Sequence, residues 1–561
     1  CFFLNCSKVA SFPTSKFCTN LIPPSSNNLV LLSTTNFSNL KFGIPYINKP
    51  AEVTPGVANY YASTYYDGLD YSSVLVKTRE GRPIFVQGND STGLGKANAR
   101  VIGSVLGVYD SARLAGPSVI REDASWSALD SAMKDALASN SGRHVILSKT
   151  ILSPSSQKAI DLLGIEHVQY DSISYSALRN VQLDVFGVNA VPAYKFHNAE
   201  VIVSIAADFL SSWLTSTNIE SEYALLRSPE RGTQSKHFQF ESTMTMTGTN
   251  ADVRTMIKPS EEGMVAAGLL AAIRGSKVTN LDKKVVSRIT AAAKSLKASK
   301  GKSIVIAGAN DYATQTIVAS INQELENYGK TIDLENPLNA CKGDDVAVAK
   351  LIADMNSGKI ATLITYGCNP SYDLPNAVEF NSGLERVKTS VCMNGFSDET
   401  ASRSTLIAPD HHYLESWNDL CLNSGRIDIV QPSIEPMFKT RAAQESFLIW
   451  GESETPDWYT FLREQYNSSY NPESMNSDAD WNIAVHDGNM VTKQTLESPD
   501  YKSFIDTTLA VKEVLNRKGG SMELATYVKG AIGVGHHAAN PILQETPDPV
   551  TKVTWDNYVT M

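Results

Sequence analysis

Residues 303–329 read SIVIAGANDYATQTIVASINQELENYG and contain one complete unit of the predicted fold. The apolar run SIVIAG, which begins at Ser303, has the length of a buried strand, and Gly308 marks a turn after it. The segment TIVASINQELENYG then has the pattern of a helix, which Gly329 ends. The stretch therefore predicts a strand that leads through a short turn into a helix.

Strand-like runs alternate with helix-like segments on both sides of this unit. The strand-like runs are HVILS at His144, EHVQY at Glu166, EVIVSIA at Glu200, ATLITYG at Ala361 and STLIAP at Ser404. Between them, EEGMVAAGLLAAIRG forms a predicted helix that ends at Gly275, and SWSALDSAMKDALAS forms one that begins after Ser125. Strands separated by helices predict parallel sheets with helices on both faces.

The predicted fold class is therefore α/β, in a multidomain chain with two Rossmann-like parallel-sheet lobes and a small N-terminal β-rich domain. In the small domain, the turn signal Glu80–Pro83 joins two β-rich runs and predicts a hairpin. The predicted parts are an extended arm at 1–48, a β-hairpin domain at 49–120, a first lobe at 121–285, a second lobe at 286–430 and a helix and loop segment at 431–561 that closes the lobes.

Length and charge exclude several classes of protein. A chain of 561 residues exceeds what one hydrophobic core serves, which fits several domains. It carries 49 Lys and Arg against 59 Asp and Glu, a formal net charge of −10. Nucleic-acid binding needs concentrated positive charge, so no nucleic-acid partner is expected. The apolar runs, such as MVAAGLLAAI at Met264, are shorter than the about 20 residues that cross a bilayer.

The seven cysteines do not have the spacing of a metal site. They are Cys1, Cys6, Cys18, Cys341, Cys368, Cys392 and Cys421. The last four lie 24 to 29 positions apart, too far for one loop to hold zinc or an iron–sulfur cluster with two of them, and they are expected to be buried small hydrophobes. Cys1 is a possible lipid-attachment site, because acyl chains on such a residue anchor a protein at a membrane. The alternative is that Cys1 is simply the first residue of the sequence given.

Glycine and histidine motifs give weak signals. GLG at 93–95 and GVG at 533–535 lack the third glycine of a dinucleotide fingerprint. Gly308 could cradle a phosphate at a helix N-terminus, but a tight turn explains it better. The pairs His411–His412 and His536–His537 are expected to be structural, because adjacent side chains in a strand point to opposite faces.

Two further groups of residues invite interpretation. Asp410 and Glu415 lie close together in the sequence, yet nothing marks them as a perturbed carboxylate pair. Five tyrosines crowd the stretch before the hairpin, and aromatic residues are enriched in interface cores, which favours a docking surface. These tyrosines are Tyr60, Tyr61, Tyr65, Tyr66 and Tyr71.

The order of several motifs resembles the molybdopterin oxidoreductase family over about residues 60 to 430. The motifs are the hairpin, GKANAR at 95–100, VYDSARLAGP at 108–117, SWSALD at 125–130, NADVRTMIKPSEEG at 250–263, ITYGCNPSYDLP at 364–375 and DETASRSTLIAPDHHYLESWND at 398–419. Within the family, three segments at 49–68, 245–254 and 540–558 resemble the B subunits of alternative complex III, a bacterial quinol-oxidising assembly.

The resemblance also exposes missing cofactor ligands. Family members hold a [4Fe-4S] cluster with a C-x-x-C-x-x-x-C segment and a fourth cysteine before Ala-Arg. In this chain the first segment is YYASTYYDGLDYSS and the fourth position is Asn98. Oxygen and amide groups replace soft thiolates poorly, so the resemblance implies that 49–120 is equivalent to a lost [4Fe-4S] domain. The molybdenum-ligating cysteine is also missing, although a serine serves in some relatives.

The resemblance implies a cofactor-free structural subunit of a respiratory quinol:electron acceptor oxidoreductase. Catalytic, cofactor-binding and metal-binding residues are accordingly expected to be absent from this chain. The implied partners are an iron–sulfur ferredoxin-like subunit or domain with [4Fe-4S] or [3Fe-4S] clusters, a multihaem cytochrome c subunit and quinol-binding integral membrane subunits. The implied location is the periplasmic side of the bacterial cytoplasmic membrane. The alternatives are an active molybdenum-pterin catalytic subunit and a free-standing binding protein.

Overall fold

The computed structural model describes residues 53–139, 142–232, 234–472, 476–492 and 499–560. The predicted arm at 1–48, with Cys1, lies outside these residues. Within them, the strands are β1 (Ala58–Tyr66), β2 (Tyr71–Arg79), β3 (Arg82–Gly88), β4 (Ser118–Val119), β5 (Glu122–Asp123), β6 (Arg143–Ser148), β7 (Glu166–Gln169), β8 (Val191–Tyr194), β9 (Val201–Ile205), β10 (Lys236–Glu241), β11 (Val253–Met256), β12 (Ser303–Ala307), β13 (Ile332–Leu338), β14 (Ile360–Tyr366), β15 (Thr389–Cys392), β16 (Leu406–Ile407), β17 (Asn418–Leu420), β18 (Arg426–Val430) and β19 (Asn489–Val491).

The α-helices lie between and after these strands. They are α1 (Ala99–Gly103), α2 (Trp126–Leu137), α3 (Pro154–Asp161), α4 (Ser176–Phe186), α5 (Ser216–Leu226), α6 (Met246–Asn250), α7 (Glu262–Ile273), α8 (Lys283–Ala298), α9 (Tyr312–Glu324), α10 (Asp345–Asn356), α11 (Pro370–Asp373), α12 (Ala377–Leu384), α13 (Ala443–Trp450), α14 (Trp458–Gln465), α15 (Ser477–Asp487), α16 (Thr508–Leu515) and α17 (Pro541–Glu545).

The first sheet is small and antiparallel, in the order β1–β2–β3. Glu80 and Gly81 join β2 to β3 with φ angles of 52° and 76°. Positive φ at both central residues is characteristic of a type I′ turn, whose twist matches that of the flanking strands. The hairpin predicted around Glu80–Pro83 is confirmed.

The second sheet has seven strands in the order β5–β4–β16–β15–β14–β6–β7. The five strands from β16 to β7 are parallel, and β4 and β5 add an antiparallel edge. One face packs against α2, α3, α13, α14 and α15, and the other packs against α10 and α12. Every residue of β14 is buried, as expected for a strand covered on both faces.

The third sheet has four parallel strands in the order β11–β10–β9–β12. Helices α7, α8, α9 and α16 cover one face, and α4 and α5 contribute to the core on the other. All residues of β9 and β12 are buried. The predicted α/β class with two parallel-sheet lobes is confirmed.

The predicted boundary between the lobes is wrong. Strand β12 lies after residue 286 yet pairs with β9, whereas β6 and β7 lie before it and join β14 and β15. The four-stranded lobe is therefore inserted between the second and third parallel strands of the seven-stranded lobe. A boundary drawn along the chain could not show this, because strand pairing joins segments far apart in sequence.

The part of the chain after residue 430 packs on both lobes. Helices α13 to α15 belong to the core of the seven-stranded lobe, and α16 belongs to the core of the four-stranded lobe. Helix α17 contacts α1 beside the small sheet. No helix among the described residues is long and apolar enough to span a bilayer.

Candidate functional site

Asn98, the residue at the fourth cysteine position of the family, begins helix α1. Its Oδ1 accepts a hydrogen bond from Val101 N at 3.1 Å and caps the helix. Its Nδ2 donates to Asp70 Oδ1 at 2.8 Å. Both ends of the amide are thus engaged within the protein.

Asp70 and Arg100 form a buried ion pair beside Asn98. Arg100 Nε donates to Asp70 Oδ2 at 2.5 Å and Nη2 donates to Asp70 Oδ1 at 2.8 Å. The guanidinium also donates to the carbonyl oxygens of Ser211 and Gly530. Burial disfavours its charge, but the hydrogen bonds with Asp70 raise the pKa of Arg100 above its ordinary value. The pair therefore joins the small sheet to the four-stranded lobe and to the C-terminal segment.

A second polar group forms around Asp67. Tyr65 Oη donates to Asp67 Oδ2 at 2.9 Å, and His537 Nε2 lies 2.8 Å from Tyr65 Oη and 3.3 Å from Asp67 Oδ2. Burial favours the protonated acid, but the hydrogen bond from His537 holds the pKa of Asp67 below its usual value. This contact attaches the C-terminal segment to the loop between β1 and β2.

These donors do not fit an iron–sulfur cluster. Protein-bound cluster irons are held chiefly by thiolates, whereas the groups here are carboxylates, an amide, a guanidinium, a phenol and an imidazole. The cysteines in the described part of the chain lie in the two lobes, outside 53–120, and are Cys341, Cys368, Cys392 and Cys421. A network of protein side chains therefore lies where the resemblance places the cluster ligands.

A crevice lies at the carboxyl edge of the seven-stranded sheet. Its parallel strands run in the order β7–β6–β14–β15–β16, so the chain order reverses between β6 and β14. In open α/β sheets, ligands bind beyond the strand ends at such a reversal. Lys149 follows β6 and Gly367 follows β14, and a Cβ at position 367 would lie 3.0 Å from the Lys149 side chain.

Two cavities open at this crevice, and Lys149 lines both. The larger has a volume of about 190 Å³ and the smaller about 30 Å³. The larger cavity is lined in part by Tyr66, Tyr366, Asp410, His411 and Trp417. The smaller is lined in part by Asp171, Cys341, Cys368, Val534 and His536.

Burial shifts the pKa values of two titratable groups in the crevice, Asp410 and Lys149. Burial raises the pKa of Asp410 to about 7, although the backbone N–H groups of His411 and Ala443 donate to its Oδ1. Burial also lowers the pKa of Lys149. Lys149 Nζ lies 5.4 Å from the centroid of the Tyr66 ring, and the buried Tyr66 Oη has no hydrogen-bond partner among the described residues.

The larger cavity of the crevice is smaller than the pockets that hold drug-sized ligands. Pockets for drug-sized ligands have volumes of about 300–1,000 Å³, and a pterin dinucleotide is at least that large. The larger cavity, at about 190 Å³, is smaller than this range. Val534 and His536 of the C-terminal segment line the smaller cavity and help to close the space between the lobes.

The two histidines of each pair have different partners, although neither pair lies in a strand as the prediction assumed. His411 Nδ1 lies 2.6 Å from Thr440 Oγ1, whereas His412 Nδ1 accepts from Leu414 N. His536 lines the smaller cavity while His537 contacts Asp67 and Tyr65. Burial lowers the pKa of His412 to about 3 and that of His536 to about 4, so both are neutral at pH 7. No group of three His, Cys, Asp or Glu side chains with a metal-binding arrangement occurs in the described ranges.

Asp410 and Glu415 lie in different environments. Both carboxylate oxygens of Glu415 accept from Arg113, at 2.8 and 2.5 Å. Burial opposes its ionisation, yet the hydrogen bonds from Arg113 hold the pKa of Glu415 below its usual value. Asp410 forms no ion pair of this kind, and burial raises its pKa instead. Nothing in the local order of residues indicates this difference.

The turn interpretation of Gly308 is confirmed. A Cβ at this position would lie 2.3 Å from Ala206 O, so the glycine is needed for close packing of the β9 and β12 ends. Asp311 caps the following helix with its own side chain, accepting from Thr314 N at 2.9 Å. An acidic cap is a poor environment for a phosphate.

The tyrosine-rich stretch contributes mainly to the interior. Tyr65 and Tyr71 are 5% and 0% exposed, and Tyr71 Oη donates to Asp428 Oδ2 at 2.5 Å. Only Tyr60 of the five is more than half exposed. The expected docking surface is wrong for the buried members, which pack the small sheet against the lobes.

Sequence reasoning missed the charged residues that matter most here. Asp67 and Asp70 lie in the segment YYDGLDYSS, and Arg100 ends GKANAR, so all three were visible. Two acids and an arginine in segments that replace cluster-binding loops were a usable signal. Lys149 carried no signal, because its position depends on the pairing of β6 with β14.

Comparisons with known proteins support the overall fold described above. No protein-family model matches the chain. The chain is 24% identical to the menaquinone reductase, molybdopterin-binding-like subunit, of Nitratidesulfovibrio vulgaris, over 67% of this chain and 62% of that subunit. The match thus spans less than two thirds of the relative's length.

A solved structure with a similar fold is acetylene hydratase from Pelobacter acetylenicus, a molybdopterin enzyme. The TM-score is 0.57 at 12% identity, and the similarity covers 77% of this chain and 74% of the hydratase. At this identity the similarity establishes the fold alone. Sequence and fold together confirm the resemblance of this chain to the molybdopterin oxidoreductase-like proteins.

Proposed function

We propose that the chain is a cofactor-free structural subunit of a respiratory quinol:electron acceptor oxidoreductase. Its relative is named as a molybdopterin-binding-like subunit of a menaquinone reductase, which supports membership of a multisubunit quinone-converting complex. In this role the chain holds its neighbours in place while other subunits carry the electrons.

One observation carries the proposal. At the position of the family's cluster, Asp70, Arg100 and Asn98 form a closed set of hydrogen bonds at 2.5 to 2.8 Å. The buried ion pair, with the hydrogen bonds from Arg100 to the carbonyl oxygens of Ser211 and Gly530, cross-links distant segments of the chain without a metal. The second support is the crevice, whose larger cavity of about 190 Å³ is too small for a pterin dinucleotide.

The more specific form of the proposal is a subunit of alternative complex III on the periplasmic side of the cytoplasmic membrane. Its partners would then be an iron–sulfur ferredoxin-like subunit or domain, a multihaem cytochrome c subunit and quinol-binding membrane subunits. The motif segments at 245–254 and 540–558 support this form, because both resemble the B subunits of alternative complex III. Thr245 Oγ1 accepts from Gly248 N at the start of α6 and donates to Glu241 Oε2. Asn540 Oδ1 caps α17, and its Nδ2 donates to Gly103 O at 3.0 Å.

The test is elemental and pterin analysis of this chain, isolated from the native complex under mild conditions. We expect iron, molybdenum and pterin fluorescence well below one equivalent per chain, with a molybdopterin enzyme taken through the same steps as the positive control. Stoichiometric molybdenum with pterin would instead favour the active catalytic subunit.

Variants of Asn98 provide an independent readout. Asn98→Ser keeps a capping oxygen, whereas Asn98→Ala removes the cap at a cost of about 1 kcal/mol. We expect both variants to oxidise quinol at the wild-type rate within the assembled complex, because no electron passes through this position. A loss of turnover in Asn98→Ser with normal assembly would contradict the proposal.

A further inference from the structure

Lys149 presents an unpaired amine to the crevice. Its side chain makes no ion pair or hydrogen bond with any described residue, and Nζ lies 5.4 Å from the centroid of the Tyr66 ring. Tyr66 Oη is sealed off, whereas Lys149 Nζ reaches the open space of the crevice, whose two cavities this residue lines. Lysines are rarely buried without a partner, so an amine left open to a cavity is available to a ligand.

The backbone and one glycine fix the direction of this side chain. Lys149 N donates to Tyr366 O at 3.1 Å and so continues the pairing of β6 with β14. Gly367 lies beside the lysine stem, and a Cβ there would lie 3.0 Å from Cδ and Cε of Lys149. The missing side chain at position 367 therefore leaves the room in which the stem runs, and the fold holds the amine in place.

The larger cavity, of about 190 Å³, combines apolar walls with one acid. Asp410 Oδ1 accepts from His411 N and Ala443 N at 2.8 and 2.9 Å, and no described residue donates to Oδ2. Pockets for drug-sized ligands are larger, about 300–1,000 Å³, so the space suits a small molecule. The apolar walls favour an uncharged one, and they include Tyr66, Tyr366, Tyr413, Trp417, Leu420 and Val430.

Burial favours the neutral form of both Lys149 and Asp410. It lowers the pKa of Lys149, although the carboxylates around the amine act in the opposite direction. It raises the pKa of Asp410 to about 7. The unprotonated amine is the form that attacks carbonyl carbons, and desolvation is one way in which proteins activate a lysine for this reaction. The titratable groups that face Lys149 are Asp67, Asp171, Cys368, Asp410 and His536.

We infer that Lys149 binds a small uncharged aldehyde in the larger cavity by forming an imine with it. A carboxylate-bearing carbonyl compound fits less well, because three carboxylates face the amine. The inference goes beyond the proposed structural role and does not depend on the chain's place in a respiratory complex.

The reaction exchanges one aldehyde for one water and needs no oxidant or reductant. The amine nitrogen forms a bond to the carbonyl carbon, and the carbonyl oxygen takes up the proton that the nitrogen loses. The hydroxyl group then leaves as water with a proton from Asp410, as the C–O bond breaks and the C=N bond forms. The ionised Asp410 remains as an acid facing the iminium cation.

The test is reductive labelling of the native chain with propionaldehyde and cyanoborohydride, which converts an imine into a stable N-propyl amine. Mass spectrometry of the peptides gives the labelling rate at each lysine as a function of aldehyde concentration and pH. Lys294, exposed on α8, is the reference, and the same labelling is repeated in guanidinium chloride. The variants are Lys149→Arg, which keeps the charge, and Gly367→Ala. Gly358→Ala is the matched control, because its φ of 70° is close to the 65° of Gly367 and a Cβ there meets no atom within 4 Å.

At pH 7 we expect Lys149 to be labelled several-fold faster than Lys294 in the native chain and at the same rate in the unfolded chain. Each unit by which burial lowers a lysine pKa gives about tenfold more neutral amine. The rate at Lys149 should level off at a lower pH than the rate at Lys294. It should also saturate with propionaldehyde, whereas labelling of Lys294 should increase linearly.

Gly367→Ala should slow labelling of Lys149 several-fold, because the added methyl group displaces the stem, and Gly358→Ala should label like the wild type. Lys149→Arg should lose the saturable component altogether. Native labelling of Lys149 that is no faster than that of Lys294, or that rises linearly with aldehyde concentration, would overturn the inference. A preference for Lys149 that persists in guanidinium chloride would do the same, since it would not come from the cavity.

Discussion

Asp70 links the small sheet to other parts of the chain through a buried ion pair. Its two oxygens take three donated hydrogen bonds, from Asn98 and Arg100, and its side chain is fully buried. The same guanidinium donates to Ser211 O and Gly530 O, so three parts of the chain meet at one charge. An ion pair of this kind is costly to break, because the remaining charge stays buried.

Asp70→Asn is therefore predicted to destabilise the protein by about 3–5 kcal/mol. Arg100→Met should cost a similar amount, for the same reason. The double variant should lose clearly less than the sum of the two, because it leaves no unpaired charge. Urea unfolding of the four proteins measures this, and strictly additive losses would show that the pair does not interact.

Asp410 gives a prediction for pH dependence. A carboxyl group with a raised folded-state pKa binds its proton more tightly when folded, so its ionisation destabilises the fold as pH rises from about 4 toward about 7. Asparagine keeps the oxygen that accepts from Ala443 N but cannot ionise. The gain in melting temperature of Asp410→Asn over the wild type should therefore be larger at pH 8 than at pH 5. A difference that is constant with pH would contradict this.

At the scale of elements, helix starts and strand ends follow local chemistry. Ser125 was expected to begin a helix, and its Oγ accepts from Ala128 N at 3.2 Å at the start of α2. Gly308 was expected in a tight turn, and the backbone of Ala206 occupies the space of its missing Cβ. Both results depend on residues close in sequence or on a rule for glycine that holds in any fold.

Gly308→Ala is predicted to destabilise the four-stranded lobe by about 1–3 kcal/mol or more. The added methyl group would overlap Ala206 O, which is backbone and cannot move without shifting β9. Gly164→Ala is the matched control, because a Cβ there meets no atom within 4 Å, although its positive φ adds some strain of its own. Thermal unfolding of both variants checks this, and equal losses would show that the crowding at Gly308 is relieved.

At the scale of the whole molecule, the seven-stranded lobe is discontinuous in sequence. Strands β6 and β7 come before the four-stranded lobe and β14 to β16 come after it. The crevice with Lys149 arises only because β6 and β14 are neighbours. Helix α16 then attaches the end of the chain to the four-stranded lobe, and the segment around His537 attaches it to the small sheet.

Hydrogen exchange under increasing denaturant should reveal this arrangement. The amides of β6 and β14 are predicted to exchange with the same opening free energy, and those of β9 and β12 with a second common value, because each pair shares a sheet. Peptides from 143–148, 360–366, 201–205 and 303–307 measure the four strands by mass spectrometry. If 143–148 opened together with 201–205 and separately from 360–366, the result would contradict this arrangement and favour the predicted boundary between residues 285 and 286.

The sequence by itself determined the α/β class, the hairpin at Glu80–Pro83, the helix start at Ser125 and the absence of thiolates from the segments around Asn98. Each follows from local pattern or residue chemistry, which the chain carries wherever it folds. Only the tertiary structure decided which strands pair, that Asp70 meets Arg100, that Lys149 lines a crevice and that Asp410 is perturbed in the opposite direction to Glu415. These features depend on contacts between segments far apart in sequence and on burial, and neither can be read from the local order of residues.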